Sequence, residues 1–298
     1  MRNGTDQSVL SELIANTGFL PVSVDPLKRT IAWLDFGRYH FYEGFFHKSA
    51  KVFEALKKGE IKTFLTGIDV LDEGALVADS IYPTGFIFHA GRSGSTMLSK
   101  VLARSRENHV ISEAGPMNSI WSFFTDNGQL PIQATDSNKK IYRNLLLTMS
   151  RHRCKTHKRY FIKFTSFNIL FFDFIHTVFP DVPAIFLNRN SEDILRSFEK
   201  NPPGWLAPGN TGFLNITAGS AYTDTKTIVE SFLAAAKKYP DEVLKCIDYK
   251  DLNPELLPSV LYHFKADINA NELSLMQTQF SFDAKVEFNR KRFNGNDT

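Results

Sequence analysis

Residues 85–105, GFIFHAGRSGSTMLSKVLARS, constrain the fold of this chain more than any other stretch. Phe86, Ile87 and Phe88 read as a buried strand, and Ala90-Gly91-Arg92-Ser93-Gly94 as a tight turn. From Ser95 onward a helix is expected, with Met97, Leu98, Val101 and Leu102 on one face. A strand that feeds a glycine turn and then a helix N-terminus aims successive backbone N–H groups at one point, where the helix dipole adds positive potential. Ser95 and Thr96 add hydroxyls, and Arg92 adds a permanent cation whose forked donors match phosphate oxygens. The stretch predicts an anion-binding loop at the carboxyl end of a buried strand. It departs from the pattern Gly-x-x-x-x-Gly-Lys-[Ser/Thr], because no lysine follows Gly94 and the cation precedes that glycine. Taken alone, these residues also fit a turn that merely needs its glycines.

Beyond residue 82 short apolar runs alternate with helical patterns, as in a parallel sheet with helical crossovers. Strands are predicted at 85–89, 109–112, 160–164, 183–188 and 243–248, and helices at 95–106, 139–151, 167–179, 191–199 and 225–238. The expected architecture is α/β: a P-loop-type parallel sheet flanked by helices on both faces over residues 82–298. A small N-terminal α+β extension, residues 1–81, precedes it. There the pattern reads strand (30–36), helix (41–56), strand (62–71), with no recognisable chemical motif. The cationic run 151–159, RHRCKTHKR, reads as a solvated helix end, and the Pro/Gly-rich stretch 201–219 as a long irregular loop.

Composition narrows the partners. Lys and Arg number 35 against 32 Asp and Glu, a net charge of +3, too slight for a nucleic-acid stripe or a membrane-surface protein. Two cysteines, Cys154 and Cys246, cannot make a disulfide framework or a zinc cluster and suit a reducing compartment. The first ten residues lack an apolar signal region. Asp173 and His176 break the greasiest run, so no membrane span is expected and a cytoplasmic location is.

The pattern Arg92-Ser93-Gly94-Ser95-Thr96 after a strand resembles the 5′-phosphosulfate loop of the sulfotransferases, particularly the Golgi carbohydrate, tyrosylprotein and bacterial branches. That resemblance implies 3′-phosphoadenylyl sulfate (PAPS) as donor and 3′,5′-ADP as product, with no metal required. It also implies a second anion pocket for the 3′-phosphate, formed by an arginine and a serine eight residues on. Arg189 stands at the end of the strand predicted at 183–188, with Ser191 as the expected helix cap and Ser197 eight residues after the arginine. Alone, Arg189 would read as a surface ion-pair partner. Further likenesses are Ser112-Glu113, Lys163-Phe164-Thr165 and Asp248-Tyr249-Lys250-Asp251-Leu252, which is similar to the family's Tyr-Glu-Asp-Leu element. The resemblance spans about residues 82–270. Residues 282–285 and 290–292 are similar to bacterial sulfotransferase tails; they fit either a cover over the nucleotide or a solvated basic terminus.

The resemblance assigns cofactor contacts to Gly91, Arg92, Ser93, Gly94, Ser95, Thr96, Arg189 and Ser197, and catalytic roles to Glu113, Lys163 and Arg92. Sulfuryl transfer resembles phosphoryl transfer, so positioning and electrostatic stabilisation do most of the catalysis. Arg92, the N–H groups of 93–96 and Lys163 are the candidates for neutralising the leaving oxygen. Glu113, 21 residues after Arg92, matches the glutamate base of the tyrosylprotein branch. His89 and His109 read first as core residues. Trp205 and Phe213 are expected to wall the acceptor pocket. The acceptor hydroxyl could be that of a sugar, phenol, peptide tyrosine, lipid or antibiotic. Two other readings remain open on the residues alone: an ATP-dependent small-molecule kinase, and a non-catalytic nucleotide-binding protein of the same fold.

Overall fold

The computed structural model describes residues 6–125, 132–206 and 224–282. Its centre is a five-stranded parallel sheet built from β4 (Pro83–His89), β5 (Asn108–Ser112), β6 (Arg159–Lys163), β7 (Ala184–Asn188) and β8 (Lys245–Asp248). The strand order is β5-β6-β4-β7-β8, which puts the glycine-turn strand β4 in the middle. All five predicted strands form within two residues of their expected limits; β4, β5, β6 and β7 are short runs that the parallel sheet buries on both faces, whereas the edge strand β8 buries only Ile247.

The two-residue period sorts the side chains into two cores. Phe86, Phe88, Tyr160, Ile162 and Phe186 join one cluster. Ile87, Val110, Phe161, Ile185 and Leu187 join the other, under α3 (Ser95–Leu102), α9 (Leu257–His263) and Met276 of α10 (Ala270–Gln277). The ladders pair Ile87 and Ser112 with Lys163, and His89 with Leu187. The carboxyl ends of four strands therefore lie along one edge, where ligands of open α/β sheets bind.

The extension carries α1 (Gln7–Ala15), β1 (Phe19–Asp25), β2 (Thr30–Asp35), α2 (Phe46–Lys57) and β3 (Thr63–Gly67). The three strands form an antiparallel sheet in chain order. α1 and β1 have no counterpart in the predicted pattern, which began at residue 30. Leu13, Phe19, Leu20 and Trp33 belong to the same apolar cluster as Phe86 and Phe88, so the extension shares the core of the larger sheet.

Several boundaries differ from expectation. α2 begins at Phe46 rather than 41, because residues 43–45 bend, Phe45 takes extended backbone angles as the residue before the helix, and Phe41 is buried ahead of them. α3 stops at Leu102, where the Asn108 side-chain amide donates to the Leu102 carbonyl at 2.8 Å. The segment predicted as one helix over 167–179 starts as a 3₁₀ turn, Ser166–Phe171, before α6 (Phe172–Val178). Asn190, not Ser191, caps α7 (Ser191–Lys200), accepting from the amides of Glu192 and Asp193 at 2.9 and 3.3 Å.

The run 151–159 is not a solvated helix end. Arg151, Arg153, His157 and Arg159 are all buried. Arg151 donates to the Ile14 carbonyl at 2.9 Å, Arg153 to the Gly37 and Tyr39 carbonyls at 3.2 and 2.8 Å, and Arg159 to Asn108 Oδ1 at 2.6 Å. The guanidinium donors of Arg151 and Arg153 satisfy carbonyls at the end of α1 and in the loop after β2, and so fasten the extension to the larger domain.

Candidate active site

The loop after β4 takes left-handed backbone angles at Gly91 (φ +91°), Arg92 (φ +50°) and Gly94 (φ +83°). Space as well as angle demands the glycines. A Cβ on Gly91 would come within 2.8 Å of Phe198 Cζ, and one on Gly94 within 2.7 Å of Leu252 Cδ2. Gly94 caps α3 without a side-chain acceptor, which leaves the first amides of that helix to an outside anion.

Arg189 reaches this loop directly: its Nη1 donates to the Arg92 carbonyl at 2.7 Å, and its guanidinium lies 4.6 Å from the Tyr249 ring centroid. Asp193 is 3.9 Å from Arg189 Nε, beyond hydrogen-bonding distance. Arg92 donates to the Asn201 carbonyl and faces the Phe198 ring. Ser93 Oγ, Arg92 Nε and Arg189 Nε are buried without a hydrogen-bond partner among the described residues. Unpaired buried donors around a nest of backbone amides suit a polyanion. Ser197 is half-buried on α7, one residue before the Phe198 that covers Gly91. Among the described residues, Arg189 is joined to the loop carbonyl rather than to Ser197.

On the other side of the loop, Lys163 and Glu113 form a tight pair, Nζ to Oε1 at 2.8 Å, with Lys163 fully buried. The Glu113 amide donates to the Lys163 carbonyl at 2.7 Å, and Glu113 itself takes a left-handed φ of +50°. His89 Nδ1 accepts from the Gly91 amide at 3.0 Å, which puts the proton of the neutral ring on Nε2. That Nε2 lies 3.5 Å from Glu113 Oε1, close enough for electrostatic support but without a formed hydrogen bond. Burial pushes the Glu113 carboxyl up, but the Lys163 ammonium and His89 outweigh it and hold the pKa at about 2.

His109 is a core residue, stacked on His157 and Tyr160. Trp205 packs edge-on against Phe198 and Phe232, so it touches the aromatic that roofs the loop; Phe213 and the tail residues beyond 282 lie outside the described residues. Among the described residues no three His, Cys, Asp or Glu side chains are grouped to hold a metal ion, and no helix is long and apolar enough to cross a membrane. Two contacts had no signal in the sequence: the Gly44 carbonyl accepts from Lys163 Nζ at 3.0 Å, and the Phe45 ring centroid lies 4.5 Å from it.

A profile of the sulfotransferase family matches residues 83–260. The chain belongs to the sulfotransferase family. Its fold is similar to that of the sulfotransferase STF1 from Mycobacterium tuberculosis H37Rv, with 13% identity, a TM-score of 0.43, and 95% of this chain and 92% of that one covered. The sulfotransferase STF9 from Mycobacterium avium is similar too, at 12% identity and a TM-score of 0.48, with 94% of this chain and 89% of that one covered. A comparison with curated proteins returns no match. The family makes this chain a transferase acting on an acceptor substrate, and the matched residues contain the glycine turn, Glu113, Lys163, Arg189 and Tyr249.

Proposed function

We propose that this sulfotransferase moves the sulfuryl group of PAPS to an acceptor hydroxyl by in-line displacement and releases 3′,5′-ADP. The observation that carries the reading is the meeting of the two anion elements. Arg189 bonds the Arg92 carbonyl at 2.7 Å, beside the unpaired donors Ser93 Oγ, Arg92 Nε and Arg189 Nε. PAPS carries one anionic group on each side of its ribose, so its binding calls for two adjoining cationic pockets. Gly91 to Thr96 would hold the 5′-phosphosulfate through backbone amides and hydroxyls. Arg189 and Ser197 would hold the 3′-phosphate.

In the displacement one sulfur–oxygen bond forms to the acceptor as the bond to the phosphate oxygen breaks. Charge growing on that phosphate is met by Arg92, the amides of 93–96 and Lys163. The acceptor proton passes to Glu113. With its pKa held at about 2, Glu113 is ionised at neutral pH and can accept a proton. A hydroxyl oxygen already bonding to sulfur is far more acidic than a free alcohol, so a weak carboxylate base suffices late in the step.

Thermal shift tests the donor: 3′,5′-ADP without magnesium should raise the melting temperature, and ATP with magnesium should not. A ligand that binds only the native state adds roughly 2.7 kcal/mol at a hundredfold excess over its Kd. The reverse pattern would favour a kinase. Arg189→Ala should weaken 3′,5′-ADP binding about ten- to a hundredfold while scarcely changing 5′-AMP binding. Equal losses for both nucleotides would overturn the role given to Arg189.

A further inference from the structure

The ammonium of Lys163 has three donors, and the structure gives each a destination. Glu113 Oε1 lies at 2.8 Å, the Gly44 carbonyl at 3.0 Å and Thr96 Oγ1 at 3.4 Å. The Phe45 ring closes the remaining side at 4.5 Å, and no part of the side chain is exposed. A buried ammonium is tolerated only when it is paired and hydrogen-bonded. Here one of the two close partners, and the aromatic face, come from residues 44–45 of the N-terminal extension, far from the strand that bears the lysine.

Only the longest of the three contacts points to the glycine loop. Thr96 belongs to the anion cradle, and a 3.4 Å contact is the one most easily exchanged for a better acceptor. The close approach of Gly44 depends on its lacking a side chain: a Cβ there would lie 2.5 Å from Thr96 Cγ2. Its backbone angle is not of the left-handed kind that glycine alone favours, so the requirement is space.

We propose that the Gly44 carbonyl and the Phe45 ring are positioning groups that hold the Lys163 ammonium against Glu113, with its third donor directed at Thr96 and at the anion bound beside it. The extension is then a working part of the active site rather than an appendage. The proposal rests on the sulfotransferase reading for the identity of that anion; the clamp itself is a property of the chain and is measured without it.

The test is acylation of lysines by an amine-reactive ester in the full chain, read residue by residue by mass spectrometry, with the buried Lys100 as internal reference. In the wild type both Lys163 and Lys100 should be protected. Gly44→Ala should raise Lys163 labelling about tenfold, as expected for loss of one charge-assisted bond, while Lys100 stays protected. Thr96→Ser added to Gly44→Ala removes the methyl that the new Cβ meets, and should restore protection. Phe45→Leu keeps an apolar filler without the aromatic face, and should raise Lys163 labelling even if Gly44→Ala proves unfolded. Unchanged Lys163 labelling in both variants, or a parallel rise of Lys100 in both, would overturn the proposal. Failure of the wild type to bind 3′,5′-ADP in a calorimeter, with the labelling pattern intact, would instead overturn only the identity of the anion.

Discussion

Acidification from pH 7.5 to 5.5, above the ordinary carboxylate range, should already destabilise this protein, and the cause is a chain of histidines in which His40 of the extension meets the buried His109 and His157. His40 Nε2 donates to the Ala103 carbonyl at 3.0 Å and His109 Nε2 to the Met149 carbonyl at 2.7 Å. His157 Nε2 faces His40 Nδ1 at 3.5 Å, and Arg153 Nη2 faces His109 Nδ1 at 3.2 Å. Every ring is thus accommodated as a neutral tautomer, beside a permanent cation. Burial first, and Arg153 second, push His157 down to about 3; burial lowers His40 to about 4, and burial with Arg153 takes His109 well below its ordinary value.

An unfolded histidine takes its proton near 6.5, so below that pH the unfolded chain binds protons that the folded chain refuses. Stability is then fully present above about pH 6.5 and is lost as pH falls toward 3–4. Between pH 7.5 and 5.5 each such histidine removes about 1.4 kcal/mol, and the three together about 3–4 kcal/mol. Against a typical total of roughly 5–15 kcal/mol that is a large share. Urea unfolding followed by circular dichroism at the two pH values measures it directly. His157→Gln, which keeps a polar side chain but cannot titrate, should flatten the loss by about 1.4 kcal/mol. Equal stability at both pH values, or an unchanged slope in the variant, would refute the neutral-histidine reading.

Glu113→Gln should leave 3′,5′-ADP affinity intact and lower kcat by about 10²–10⁴; near-normal turnover with intact binding would remove the base role from Glu113. Gly94→Ala, which forces a Cβ to 2.7 Å from Leu252 at a left-handed φ, should weaken 3′,5′-ADP binding by about 1–3 kcal/mol in calorimetry. Trp205→Ala strips the edge contacts to Phe198 and Phe232 and should raise acceptor KM; unchanged KM and kcat on every active acceptor would end its assignment to the acceptor wall.

Four strands of the parallel sheet, β4 to β7, were legible because burial on both faces writes each as a short apolar run, and Phe86 to Phe88 lead directly into the glycines. Helix ends were less so. The stop of α3 depends on Asn108 folding back onto Leu102, a contact that no local pattern encodes. The run 151–159 looked solvated because charge usually is; Arg151 and Arg153 are buried because the carbonyl of Ile14 at the end of α1 and the loop carbonyls of Gly37 and Tyr39 lie within their reach. Gly44 was invisible for a related reason. One glycine in an aromatic stretch signals nothing until the fold brings Thr96 and Lys163 against it.

Glu113 shows how a strained backbone angle is held by a charge pair. It follows β5 at a φ of +50°, an angle that a residue with a side chain adopts at some energetic cost, of the order of 1–3 kcal/mol. An ordinary strand exit would avoid that cost. Here the strained residue keeps its amide on the Lys163 carbonyl at 2.7 Å while its carboxylate meets the ammonium of the same lysine at 2.8 Å. One neighbour is thereby gripped twice, through main chain and side chain. Each grip restrains a different motion: the ladder bond fixes where β5 ends, and the ion pair fixes where the lysine head sits. Relaxing the turn to an extended angle would swing the carboxylate away and leave a buried ammonium without its countercharge, a larger penalty than the strain. The backbone angle persists because the charge pair over-determines it, and that pair stands at the edge where the donor is expected to bind.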